Sequence, residues 1–130
     1  MATRIRNSRA QALINDIDTG VDSGSIYFYD GIRPDTGDTA TSLIGTNVFS
    51  KPSASVDTGL IVFNLINDDL SVDNTGEITW CRVFNGDGQF VIDMDCGISG
   101  SGAEVIFDDV DAIKGGTLKI LTAYLLEGNL

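Results

Sequence analysis

A chain of 130 residues with 8 basic and 19 acidic side chains, a net charge of −11, no histidine and two cysteines is one domain's worth of acidic protein. Without histidine there is no Ser-His-Asp or Cys-His relay and no imidazole metal ligand, and two cysteines alone cannot close a structural zinc site. The acid surplus excludes a strong nucleic-acid backbone binder, whose affinity comes from Lys and Arg.

The first segment reads as the chain's one helix. Ala10, Leu13, Ile14 and Ile17 recur at the spacing of a single helical face. Thr3, Asn7 or Ser8 can cap its start, and Asp18-Thr19-Gly20 should close it. Arg4, Arg6 and Arg9 place three of the eight basic residues in the first nine positions. From residue 10 onward five basic residues face nineteen acidic ones, a net of −14. Residues 1–23 are therefore read as a basic N-terminal arm and amphipathic helix, and 24–130 as the body of the same single domain. The arm is either an exposed helix start or a dock for an acidic partner. No apolar run follows these arginines, so they do not read as a secretory signal. No stretch approaches the ~20 apolar residues of a membrane helix. Cys81 and Cys96 are accordingly expected to be reduced and buried.

The body reads as strands. Ser25–Tyr29 is β-branched and aromatic between Gly24 and Gly31. Residues 32–41 form a loop with Pro34 and Gly37. A weak strand over 42–49 precedes a polar link, 51–58, that holds Pro52. Apolar 59–66, the turn-rich 68–76, and strands at 77–84, 89–96, 104–107 and 117–126 complete the series. About seven strand-like runs with frequent turns are the signature of a sandwich or a barrel. The turn Asn85-Gly86-Asp87-Gly88 predicts a hairpin. With Gly86-Asp87 as its loop, Cys81 would face Ile92. Thr79, Cys81, Val83, Phe90, Ile92, Met94 and Cys96 would then share the core face. Trp80, Arg82, Phe84, Gln89, Val91, Asp93 and Asp95 would share the other. In that register Cys81 and Cys96 stand four residues apart along the sheet, too far for a disulfide.

No catalytic constellation emerges. The Asp-rich runs 93–95 and 108–111 lack calcium-loop spacing and read as solvated turns. The run 97–102 lacks the lysine and helix of a phosphate loop. No enzyme activity, cofactor or metal is expected. Tyr27, Tyr29, Trp80 and Phe84 admit two readings of equal weight. One is a half-buried sheet face covered by the helix or a loop, and the other is a subunit interface.

The whole-chain pattern is familiar. Met1-Ala2-Thr3-Arg4 leads into the short helix, then comes Gly24-Ser25-Ile26-Tyr27-Phe28-Tyr29-Asp30-Gly31-Ile32-Arg33-Pro34. Later follow Gly76-Glu77-Ile78-Thr79-Trp80-Cys81-Arg82-Val83-Phe84, Ser99-Gly100-Ser101-Gly102 and a hydrophobic last strand. This resembles small proteins encoded among the head genes of tailed bacteriophages, and capsid decoration, or cement, proteins. The resemblance implies a mainly β fold, a jelly-roll-like antiparallel β-sandwich with one short N-terminal α-helix. It implies a structural virion protein on the outer surface of the capsid, made in the bacterial host cytoplasm. Its partners would be the major capsid protein and further copies of itself, as a dimer or trimer, with neither nucleic acid nor membrane. Arg4, Arg6, Arg9, Tyr27, Tyr29, Trp80, Arg82 and Phe84 are the interface candidates. A neck, tail or fibre module that binds a receptor or carbohydrate, with Trp80 or Tyr29 as stacking platforms, is the alternative.

Overall fold

The computed structural model describes residues 2–65, 67 and 69–126, apart from the side chains of 2–6 and 126. Among them are one helix, α1 (Ala2–Ile17), and ten strands. In chain order these are β1 (Ser25–Tyr29), β2 (Leu43–Asp57), β3 (Leu60–Leu65), β4 (Asp69–Ser71), β5 (Gly76–Glu77), β6 (Trp80–Phe84), β7 (Phe90–Ile98), β8 (Val105–Phe107), β9 (Asp111–Ala112) and β10 (Thr117–Leu126). The protein is mainly β with one short helix.

Seven strands close on themselves in the order β3-β2-β1-β6-β7-β8-β10, and β10 returns to pair with β3. The body is therefore a closed barrel, the second of the two architectures that the strand spacing allows. Closure removes the open edges that two stacked sheets would leave. One pair departs from the antiparallel expectation: β7 and β8 run parallel.

Two long strands turn the corners. The first half of β2 pairs with β1, and its second half pairs with β3 after a break in register between Phe49 and Ala54. The polar run over 51–58 was expected to be a link. It is instead the second half of β2, carried through a cis Lys51–Pro52 peptide. Strand β10 likewise pairs with β4 near its start and with β3 near its end.

The core fills the barrel and continues into the helix. Ala10, Ile14 and Ile17 join Phe28, Phe49, Phe107, Ile44 and Leu70 in one buried cluster. The 3.6-residue repeat thus marks the buried face correctly, but the helix begins earlier than the suggested caps. Asn7 lies inside it, and its side chain accepts the Gly59 N–H at 2.6 Å. Arg4, Arg6 and Arg9 belong to the first turns of α1 rather than to a separate arm. Arg9 is exposed, while the side chains of Arg4 and Arg6 lie outside the described residues.

The far end of α1 is locked. The Asp18 carboxylate accepts the Ser53 N–H at 3.0 Å. The Lys51 ammonium donates to the Gly20 carbonyl at 2.7 Å, placing a cation near the negative end of the helix dipole. The Gly86 N–H donates to Thr19 O at 2.8 Å. A Cβ on Gly86 would stand 1.9 Å from the Asp22 carbonyl oxygen, so only glycine fits. Gly86→Ala should therefore cost about 1–3 kcal/mol of overpacking, read as a lower urea midpoint with an unchanged m-value.

Candidate functional site

The outer face of β1, β6 and β7 gathers most of the residues the sequence singles out. Alternation along β6 sends Trp80, Arg82 and Phe84 to this face and Cys81 and Val83 to the core. Tyr29 stands directly opposite Trp80, and Tyr27 opposite Arg82. Across the other ladder Arg82 opposes Asp93 and Trp80 opposes Asp95. Directly opposed side chains on neighbouring strands meet, which is the sheet's unit of pairwise stabilisation.

The contacts follow from that register. Tyr29 and Trp80 stack with ring centroids 4.5 Å apart, and Tyr27 meets Phe84 edge-on at 4.9 Å. Arg82 Nε donates to Asp93 Oδ1 at 2.7 Å and its Nη2 to Oδ2 at 3.1 Å, a bidentate clasp. Nη2 also donates to the Asp38 carbonyl at 2.7 Å. The guanidinium lies against two rings, 5.2 Å from the centroid of Trp80 and 5.3 Å from that of Phe90. The Asp93 hydrogen bond, opposed by burial, holds Arg82 protonated more firmly than usual.

This face is covered. Residues 31–41 cross over it, and the Trp80 indole N–H donates to Asp30 O at 3.1 Å and to Thr41 Oγ1 at 2.9 Å. The Gly37 N–H reaches Asp93 Oδ2 at 3.3 Å. Trp80 is completely buried, Tyr29 and Arg82 are 7 % exposed, and Tyr27 and Phe84 are half-buried. Of the two readings of the aromatics, the face covered by a loop is the one the fold builds. Trp80, Tyr29 and Arg82 present no open interface in this conformation. Burial also pushes the Tyr29 hydroxyl's pKa up, with Arg82 pulling the other way.

The hairpin register differs from the expected one by two residues. Cys81 faces Met94, not Ile92. The cause is the turn: the Asn85 side-chain oxygen accepts both the Asp87 and Gln89 N–H groups, and the register breaks between Val83 and Phe84. A two-residue shift keeps most faces, because the strand period is two. The break reverses two residues. Phe90 joins Arg82 on the outer face, and Val91 packs against the core.

The same shift corrects the cysteine geometry. Cys96 donates its backbone N–H to Thr79 O, so it sits diagonal to Cys81 rather than four residues away. Both cysteines are buried free thiols. Burial, then a hydrogen bond with Cys81, raises the Cys96 pKa well above the ordinary thiol range. Its raised folded pKa places this contribution at and below the unfolded thiol's pKa, and it is lost as pH climbs past that value. Stability should therefore begin to fall above about pH 8.5, where the unfolded thiol ionises, and go on falling toward the raised folded pKa, and Cys96→Ala should flatten that fall in urea titrations.

The cleft of about 150 Å³ between β3 and β10 is lined by Phe63, Leu65, Ile120, Leu121, Thr122 and Ala123. It is smaller than the ~300–1,000 Å³ of ordinary small-molecule sites. Among the described residues no group of three or more Asp, Glu or Cys is placed to hold a metal ion. No described helix is long and apolar enough to cross a membrane. No family model matches the chain, and neither curated proteins nor solved structures provide a significant match.

Proposed function

We propose that this chain is a structural virion protein, a capsid decoration or cement protein that binds the outer phage head and bridges capsid subunits without enzymatic activity. The observation that carries this reading is the whole-chain resemblance, from the helix through the Thr79-Trp80-Cys81-Arg82 strand. The jelly-roll relationship is part of the same proposal. The barrel suits the role physically. It is closed, its polar clasp is internally satisfied, and its strongly acidic surface repels free nucleic acid. Anything that binds the assembled shell but not its separated subunits shifts the balance toward assembly.

With the loop over residues 31–41 closed, Trp80 and Tyr29 are buried, so they are not standing platforms for a sugar. The basic first turns of α1 remain the proposed contact to an acidic patch on the capsid or on a neighbouring copy. Arginine suits it, because its planar fork grips carboxylates in pairs. Each exposed pair contributes only ~0–1 kcal/mol, so occupancy depends on repetition across linked copies.

The test is to add the protein to heads that lack it and measure co-sedimentation across a salt series. Arg4→Ala/Arg6→Ala/Arg9→Ala should bind more weakly and with a shallower salt dependence, with an unchanged circular dichroism spectrum. Equal binding of parent and triple variant at every salt concentration would reduce the arginines to a solvated helix start.

A further inference from the structure

The loop over the aromatic face covers much and commits little. No side chain from Gly31 to Thr41 is buried, and Ile32 is 89 % exposed. Yet beneath the loop lie a fully buried tryptophan and a nearly buried arginine. Its anchors are polar and few. The indole N–H holds Asp30 and Thr41 at the base, where the Thr79 hydroxyl also donates to Gly31 O, while Arg82 and Asp93 hold Asp38 O and Gly37 N–H at the tip. An exposed Arg33–Asp95 pair at 3.3 Å adds a rim contact.

The neck of the loop is also closed by bonds between its own two ends. Asp30 N–H donates to Ser42 O, and Ser42 N–H donates to the Asp30 carboxylate. The Thr41 hydroxyl donates to Asp30 O, and Gly31 takes a positive φ of 76°. A compact loop with its ends tied together can lift without disturbing the strands on either side. Segments with few buried apolar contacts are those that open locally at free energies well below global unfolding.

We propose that residues 31–41 are a strap that opens as a unit, baring Tyr29, Trp80 and Arg82 beside the already exposed Phe90 for an extended segment of a partner protein. The strap's two contacts to the Arg82–Asp93 clasp come from main-chain groups, Asp38 C=O and Gly37 N–H. Any extended peptide carries the same two groups, so a segment of the capsid can replace the strap. The identity of that partner rests on the shell-binding reading; the opening of the strap does not.

Trp80 is the chain's single tryptophan, so its indole N–H is one unambiguous NMR resonance. In the isolated protein that proton should exchange at least about a hundredfold faster than the amides of Cys81 and Val83, as a local opening requires. Thr41→Val removes one indole acceptor together with the neck bond to Asp30 O, and should speed the indole about fivefold while leaving those amides unchanged. Replacing residues 33–40 by three glycines should raise acrylamide quenching of Trp80 with the circular dichroism spectrum retained. Exchange of the indole only at the rate of the β6 amides, or equal acceleration of both in Thr41→Val, would overturn the strap.

The docking half is read on heads lacking the protein. The shortened strap should bind more tightly than the parent, because less of the population must open before binding. Equal or weaker binding by the shortened form would overturn docking through this face. Failure of both forms to bind heads would remove the shell-binding reading and the capsid as occupant, with the strap's opening still decided by the indole.

Discussion

Asp93→Ala should cost about 3–5 kcal/mol, the usual penalty for stranding one member of a buried ion pair. The Asp93 side chain is 3 % exposed and that of Arg82 9 %, so with the strap closed the stranded guanidinium has little access to water. Arg82 would keep only the Asp38 carbonyl and the faces of Trp80 and Phe90. The strap would lose its Gly37 anchor in the same step. The double change Arg82→Met/Asp93→Leu separates the value of the pair from the cost of breaking it. Replacing both charges by apolar groups of similar size is often nearly neutral. Urea unfolding should place the double variant within about 1–2 kcal/mol of the parent and Asp93→Ala well below it. Equal losses in the two variants would mean that packing, and not the stranded charge, sets the cost.

Trp80→Ala should be comparably severe, at about 3–5 kcal/mol. The side chain is fully buried, stacks on Tyr29, supports Arg82 and ties the strap's base through its indole N–H. Trp80→Phe keeps a ring but drops the N–H, so it should lose less than half as much. Because Trp80 and Arg82 touch, their effects should not add. A double-mutant cycle should return a coupling of about 0.5–3 kcal/mol, and a coupling of zero would show that the ring and the guanidinium are independent.

These two residues show how far the sequence could be read. Alternation in Trp80–Phe84 is visible directly, and it sorts Cys81 and Val83 from Trp80 and Arg82 correctly. What alternation does not reveal is that the second face is also covered. The loop at 32–41 is legible from Pro34 and Gly37, but its path over Trp80 depends largely on main-chain bonds at Asp30, Gly37 and Asp38, which any residue type could make. An Arg and an Asp eleven residues apart on two strands look like ordinary surface charges until the register sets them opposite each other.

The misplaced register has a similarly local cause. Gly86 and Gly88 both mark a turn, but the extra residue comes from the Asn85 side chain capturing two N–H groups. Side-chain capture of this kind leaves no periodic trace. The passage of β2 through Pro52 is hidden because the polar run 51–58 lacks clear strand alternation. Its pairing comes from the barrel's closure around it. Short β4, β5 and β9 carry only two or three residues each, too few for any period to register. The N-terminal arginines stand at the opposite extreme. Their clustering is plain in the sequence, and local helix energetics do not explain it, because cations oppose the dipole at that end.

We propose that this protein sits on the outside of a phage head. The most direct test is an electron-microscopy map of phage particles purified from a lysate in which this chain is expressed. Density is expected on the outer capsid surface that fits the seven-stranded barrel, with α1 turned toward the shell or a neighbouring copy. A map whose heads are bare, with the barrel found only in the tail or absent from the particle, would contradict it.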